Sequence, residues 1–221
     1  MDRWVGEPAF DGLIGTNAIV ESHPTPVAKR VRDRISSQVD LDGGHPLRRL
    51  VDPTFPIPRE VAHSDATRPT INRVLIEVAA CNEHGLRPVT ASWICGAMRD
   101  DGGYGTTHAL WAAVIARNNG CAPVTCLDDL VAELATSQPA APGPATLEAD
   151  LFAERILMRR LAGAFVAGTE FEALRHAQTA EGRFGVSPAG EPPWHAFHAA
   201  MTATWALLLE SETNLPAQVR P

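Results

Sequence analysis

The sequence predicts an all-α protein built from repeated helical hairpins, and three observations carry that prediction. A short signature recurs where helices meet: Gln38-Val-Asp-Leu-Asp-Gly-Gly-His45, Met98-Arg-Asp-Asp-Gly-Gly-Tyr104 and Gln178-Thr-Ala-Glu-Gly-Arg-Phe184. In each, Gln or Met is followed by a Gly four or five residues later, and a ring-bearing side chain comes two residues after that Gly. Residues 70–82 align without gaps on residues 106–118, an offset of 36 that suits one helical hairpin. No alternating apolar–polar run long enough for a sheet separates the helical stretches.

Each element has its own signal. Over residues 25–37, Val27, Val31 and Ile35 recur at four-residue spacing on one helical face. Pro69 suits a first helical position, and Val74, Leu75, Val78 and Ala79 line one side of a helix that Gly85 ends. Pro88 opens the next, through Trp93, Ile94 and Met98. Thr106 or Thr107 is suited to cap a helix through Leu110, Trp111, Val114 and Ile115 that stops at Asn118-Asn-Gly120. Thr125 caps a shorter one through Leu127, Leu130, Val131 and Leu134. Residues 137–145, rich in proline, read as a linker. Thr146 starts a helix to about Ala162, and Thr169 opens another to Gln178, with Glu172 reaching back as in a capping box. The last runs from Trp194 to about Glu210. Residues 1–23 form an N-terminal extension, and residues 46–68, with four prolines and no helical period, read as a lid-like loop holding Phe55 and Ile57.

The signature is similar to the Gln-Trp repeat of the α/α-toroid superfamily, which includes terpene cyclases, prenyltransferase β subunits and lanthionine cyclases. Gln178, Gly182 and Phe184 match it best, Gln38 with Gly43 matches in part, and Gly102 with Tyr104 lacks the Gln. The likeness spans roughly residues 24–210. It implies one domain over residues 1–221, a short α/α toroid or incomplete α/α barrel of about four hairpins, with a cavity opening where inner helices begin. The chain departs from the family's chemistry. Met98 stands at the first place of the acidic motif that ends in Asp100-Asp101, no Asp-x-Cys pair for zinc exists, and neither Cys121 nor Cys126 has an adjacent His.

Composition bounds the function. The 221 residues are 45% apolar and 20% charged, a globular balance. The net charge of −7 argues against nucleic acid, because phosphate binding needs a concentrated basic surface. Arg30, Arg32 and Arg34 share a predicted helix with Asp33 and read as a solvated face. No stretch approaches the ~18–20 apolar residues of a membrane span. The N-terminus lacks a charged-then-apolar signal pattern, which predicts a cytoplasmic protein, or a secreted one if a signal has been removed. The four cysteines read as buried thiols by default, with disulfides open if the compartment is oxidising.

Placed on such a barrel, three inner-helix starts converge. The first brings His63, Asp65 and Asn72; the second Tyr104, Thr107 and His108; the third Trp194, His195, His198 and Thr202. Histidine is the usual acid–base group near neutral pH and the commonest metal ligand. The expected site therefore uses Asp65, Tyr104, His108, His195 and His198, with His108, His198 and Asp65 as ligands to zinc or another divalent transition metal. Plainer roles stand beside these: Asp65 as a helix cap, Tyr104 as packing, and His108 bonded to a loop carbonyl. The function expected is an enzyme, a lyase, cyclase or hydrolase acting on a small-molecule substrate. The alternative is a non-catalytic module binding a hydrophobic ligand or partner peptide. Oligomeric state and substrate identity have no signal in the sequence.

Overall fold

The computed structural model describes residues 7–36, 45–63, 70–96, 98, 103–121, 124–186 and 193–210. Among them the protein is all-helical, with eleven α-helices and only isolated β-bridges. The chain divides into two compact units, one drawn from Met1–Asp40 and Ala135–Pro216, the other from Leu41–Leu134 with Ala217–Pro221. Pro69, Asp65 and the first two glycine signatures, apart from their edges at His45, Met98, Gly103 and Tyr104, lie outside the described residues.

In the first unit α1 (Glu7–Ser22) packs on α2 (Pro26–Ser36) and α11 (Pro193–Leu208). Helix α9 (Thr146–Leu161) packs most extensively on α11, and α10 (Gly168–His176) touches both. Both helices carry small residues that allow close approach: Ala149 and Ala153 on α9 and Ala199, Ala203 and Ala206 on α11 are fully buried. Phe152, Ile156 and Leu157 fill the remaining apolar stripe of α9 at helical spacing. Helix α9 starts where the side chain of Glu148 accepts from the Ala145 amide at 3.1 Å. In α10 the residue reaching back is Glu170, which accepts from the Ala167 amide at 3.0 Å. The helix begins at Gly168, so Glu170 and not Glu172 stands at the third helical position; Glu172 pairs with Arg175 instead.

The third signature forms one closed turn. Gln178 Nε2 donates to the Gly182 carbonyl at 3.4 Å, Gln178 and Phe184 form an antiparallel bridge, and Phe184 is buried. The turn then crosses the start of α9. The Val186 amide donates to the Pro144 carbonyl and the Thr146 amide to the Val186 carbonyl. Gly185, at φ +73°, makes this approach possible, since a Cβ there would sit 2.7 Å from Thr146 Cα. Gly185→Ala should therefore destabilise the protein by about 2–4 kcal/mol, from left-handed strain plus a backbone clash that no rotamer relieves. A fall in the urea midpoint at constant m would show it; an unchanged midpoint would contradict this crossing.

In the second unit α4 (Ile71–Ala79), α6 (Pro88–Cys95) and α7 (Gly103–Asn118) form the core, with α3 (Arg59–Ala62), α5 (Cys81–His84) and α8 (Leu127–Thr136) around it. Thr70 caps α4, its hydroxyl accepting from the Arg73 amide. The predicted helix 69–82 is broken at Ala80, where α5 starts. Helix α7 begins three residues before its expected cap. Thr107 donates back to the Tyr104 carbonyl and Thr106 to Glu133, so both act inside the helix. Glu77 is buried and accepts from the Arg87 backbone and guanidinium and from Thr90.

Two expectations change here. The cysteines are not thiols: Cys81 bonds Cys121 and Cys95 bonds Cys126, tying α5 to the end of α7 and α6 to the turn before α8. The segment 46–63 is not structureless. It holds a 3₁₀ turn over Pro46–Leu50 and the short α3, with Ile57 buried. Its anchors are distant in sequence: Arg49 binds Glu83 and the Phe55 carbonyl, and His84 bonds the Ile57 carbonyl at 2.6 Å.

Candidate metal centre

Helix α9 is an apolar stripe interrupted by two carboxylates one turn apart. Asp150 and Glu154 are 4% and 3% exposed. Spacing of four residues puts both on one helical face. The facing helix, α11, supplies His198, whose side chain is 12% exposed. The imidazole Nδ1 donates to the Asp150 carboxylate, 2.9 Å from Oδ2 and 3.0 Å from Oδ1. Its Nε2 lies 3.9 Å from Glu154 Oε1. One donor atom from each of the three residues lies within 4.8 Å of the other two.

That geometry divides the labour. The Asp150 contact places a proton on Nδ1; in the neutral ring the lone pair is then on Nε2, directed away from Asp150. The gap from Nε2 to Glu154 is too long for a hydrogen bond and suits two groups sharing one central atom. Imidazole with carboxylate oxygens is a donor set for zinc, manganese or iron. A carboxylate on the far nitrogen of a ligating His is the usual second layer of such sites.

Trp194 borders the cluster. Its ring stands edge-on to His198 at 5.4 Å and to His195 at 4.9 Å between centroids. Its buried indole N–H finds no acceptor among the described residues, an orphan donor beside the imidazole. Elsewhere on α9, burial, aided by the neighbouring Arg159 guanidinium, holds Arg155 below the ordinary arginine range.

The residues expected from the sequence are distributed as follows. His195 and His198 come together through Trp194 in the first unit. Tyr104 and His108 belong to α7 in the second unit, where His108 Nδ1 donates to the Tyr104 carbonyl at 2.8 Å and the ring stands edge-on to Trp111. That is the plain reading of His108, a ring satisfied by its own helix. Asp65 lies outside the described residues. His63, from the first cluster, bonds the Gly85 carbonyl at 3.0 Å. Asp150 and Glu154 were not among the expected residues. The signal for them is present in the sequence: two acids at helical spacing inside an Ala-rich apolar stripe, where solvated charges do not belong. No family model, no curated protein and no solved structure matches this chain.

Proposed function

We propose that the protein is a metal-assisted enzyme of the hydrolase, lyase or cyclase kind, acting on a small molecule at His198, Glu154 and Asp150. The carrying observation is the buried trio itself: an imidazole whose Nδ1 is held by one carboxylate while its Nε2 faces another across 3.9 Å. Two carboxylates buried a turn apart are costly unless a cation or a proton offsets them. The orphan N–H of Trp194 supports the same reading, as a donor set for an oxygen of bound substrate or water.

In this reading His198 Nε2 and a Glu154 oxygen hold the ion and Asp150 holds the ring. A divalent metal bound there supplies Lewis acidity and lowers the pKa of coordinated water. Glu154, Trp194 and His195 are then the groups that orient substrate and carry protons at the mouth. A second reading rests on the same hydrogen bond: without metal, Asp150 and His198 form a base dyad whose Nε2 accepts a proton from water or substrate. A short α/α toroid accords with the Gln178–Gly182–Phe184 turn. Two disulfides accord with work in an oxidising compartment better than in the cytoplasm.

Metal analysis after dialysis against zinc or manganese tests the reading. About one ion per chain is expected, with His198→Ala abolishing it and Asp150→Asn weakening affinity roughly 10–100-fold. The ion should stabilise wild type against heat and leave His198→Ala unmoved. Less than a tenth of an equivalent in wild type, or equal content in wild type and His198→Ala, would overturn the metal reading. Activity that survives chelation but falls in Asp150→Asn would favour the dyad.

A further inference from the structure

A second concavity in the first unit has no part in the metal centre. It lies among α1, α2 and α11, encloses about 430 Å³, and is walled by Ile19, Val27, Val31, Phe197, Met201 and Leu208. Three threonines also reach it, yet their hydroxyls are turned back on their own helices. Thr16 donates to the Gly12 carbonyl, Thr204 to the Ala200 carbonyl, and Thr25 accepts from the Ala28 amide. Their methyl groups are left to the cavity, so the wall is hydrocarbon. One polar exception stands out: His23 Nδ1 is buried without a partner among the described residues.

Helix α2 is the odd element of this wall. The sequence pattern predicts that Val27 and Val31 pack inward, but they are 59% and 36% exposed and border the cavity instead. The rest of α2 is cationic in sequence: Lys29, Arg30, Arg32 and Arg34 share the helix with one acid, Asp33, which pairs with Arg32. Glu21, at the end of α1, also faces Arg32, and burial holds its carboxyl above the ordinary range. In a chain whose net charge is −7, a helix with this excess of cations is a local reversal of sign. An apolar hollow beside it is matched to a molecule with a long hydrocarbon tail and an anionic head.

We infer that this cavity binds one free straight-chain carboxylate, tail among α1, α2 and α11 and head towards His23 and the cations of α2. A methylene group takes about the room of a water, roughly 30 Å³, so the volume accommodates roughly ten to fourteen carbons. The hollow is sized for one chain, which separates this reading from a helix lying on a membrane surface, where a flat apolar face suffices.

Calorimetric titration with sodium dodecanoate below its micelle concentration tests the inference. One saturable site with micromolar affinity is expected. Arg30→Glu should weaken dodecanoate about fivefold and leave dodecanol unchanged, since only the head meets the charge. Ala200→Trp should weaken both at least roughly tenfold by filling the hollow; Val31→Asp, at an exposed position, does the same should Ala200→Trp not fold. Absence of saturation up to about 1 mM would overturn the inference. So would equal binding of dodecyltrimethylammonium, or co-sedimentation with anionic phosphatidylglycerol vesicles without binding of monomeric dodecanoate. None of these readouts involves metal, so failure here leaves the metal centre untouched, and the reverse.

Discussion

Reduction of both disulfides is expected to remove most of the stability of the unit that carries them. Cys81–Cys121 closes 40 residues of separation and Cys95–Cys126 closes 31. On the chain-entropy account, loops of this size stabilise by about 4 kcal/mol each, comparable with the whole stability of a small domain. The loops interleave, because Cys95 lies inside the first and Cys126 beyond it. Each bridge therefore acts on a denatured chain the other has already shortened, and the pair contributes less than the sum. Cys81→Ser with Cys121→Ser should lower the urea midpoint substantially, and dithiothreitol should lower it further. A thiol assay should find no reactive thiol in the unreduced, denatured protein. Four reactive thiols there, or a midpoint indifferent to complete reduction, would dismiss both bridges.

Glu77→Ala should cost about 3–5 kcal/mol, the range for breaking a buried ion pair by removing one partner. Glu77 is 1% exposed on the inner face of α4. Its two oxygens accept from the Arg87 amide at 2.8 Å, Arg87 Nη2 at 2.7 Å, Arg87 Nε at 3.0 Å and Thr90 Oγ1 at 2.8 Å. These bonds seat the first turn of α6 on α4, so their loss strips a buried hydroxyl and a helix-start amide of their acceptor. Glu77→Gln keeps the shape and part of the bonding and should cost less. Arg87→Ala, made alone and with Glu77→Ala, isolates the coupling between the two. A double variant no less stable than either single one would confirm that the penalty is the stranded partner. Additive losses would contradict it.

What the chain revealed in advance follows from the range of the forces involved. Helices α2, α6, α9 and α11 follow from local apolar spacing and from Pro26, Pro88 and Pro193 at their starts. The linker over residues 137–144 was equally local. Errors gathered where a local signal had a rival. Thr106 and Thr107 suit a helix cap by residue type, yet Gly103, Tyr104 and Gly105 before them are already helical. The 46–63 segment showed no period because it is held from outside, by Glu83 and His84. The cysteine pairing and the Asp150–His198 contact, 48 residues apart, arise only in three dimensions. His198 was recognised by its chemistry; its true neighbours needed the packing of α9 on α11.

That packing has a consequence for which ion the centre would accept. Both carboxylates ride on one helix, so their mutual offset is set by the pitch of that helix and not by any loop. The remaining degree of freedom is the spacing to the helix that bears His198, and both helices are rich in fully buried alanine: Ala149, Ala153, Ala199, Ala203 and Ala206. Side chains this short work as a calliper: an ion bound there would meet a gap whose width is set by how closely the two rods approach, and with it the ionic radius that fits.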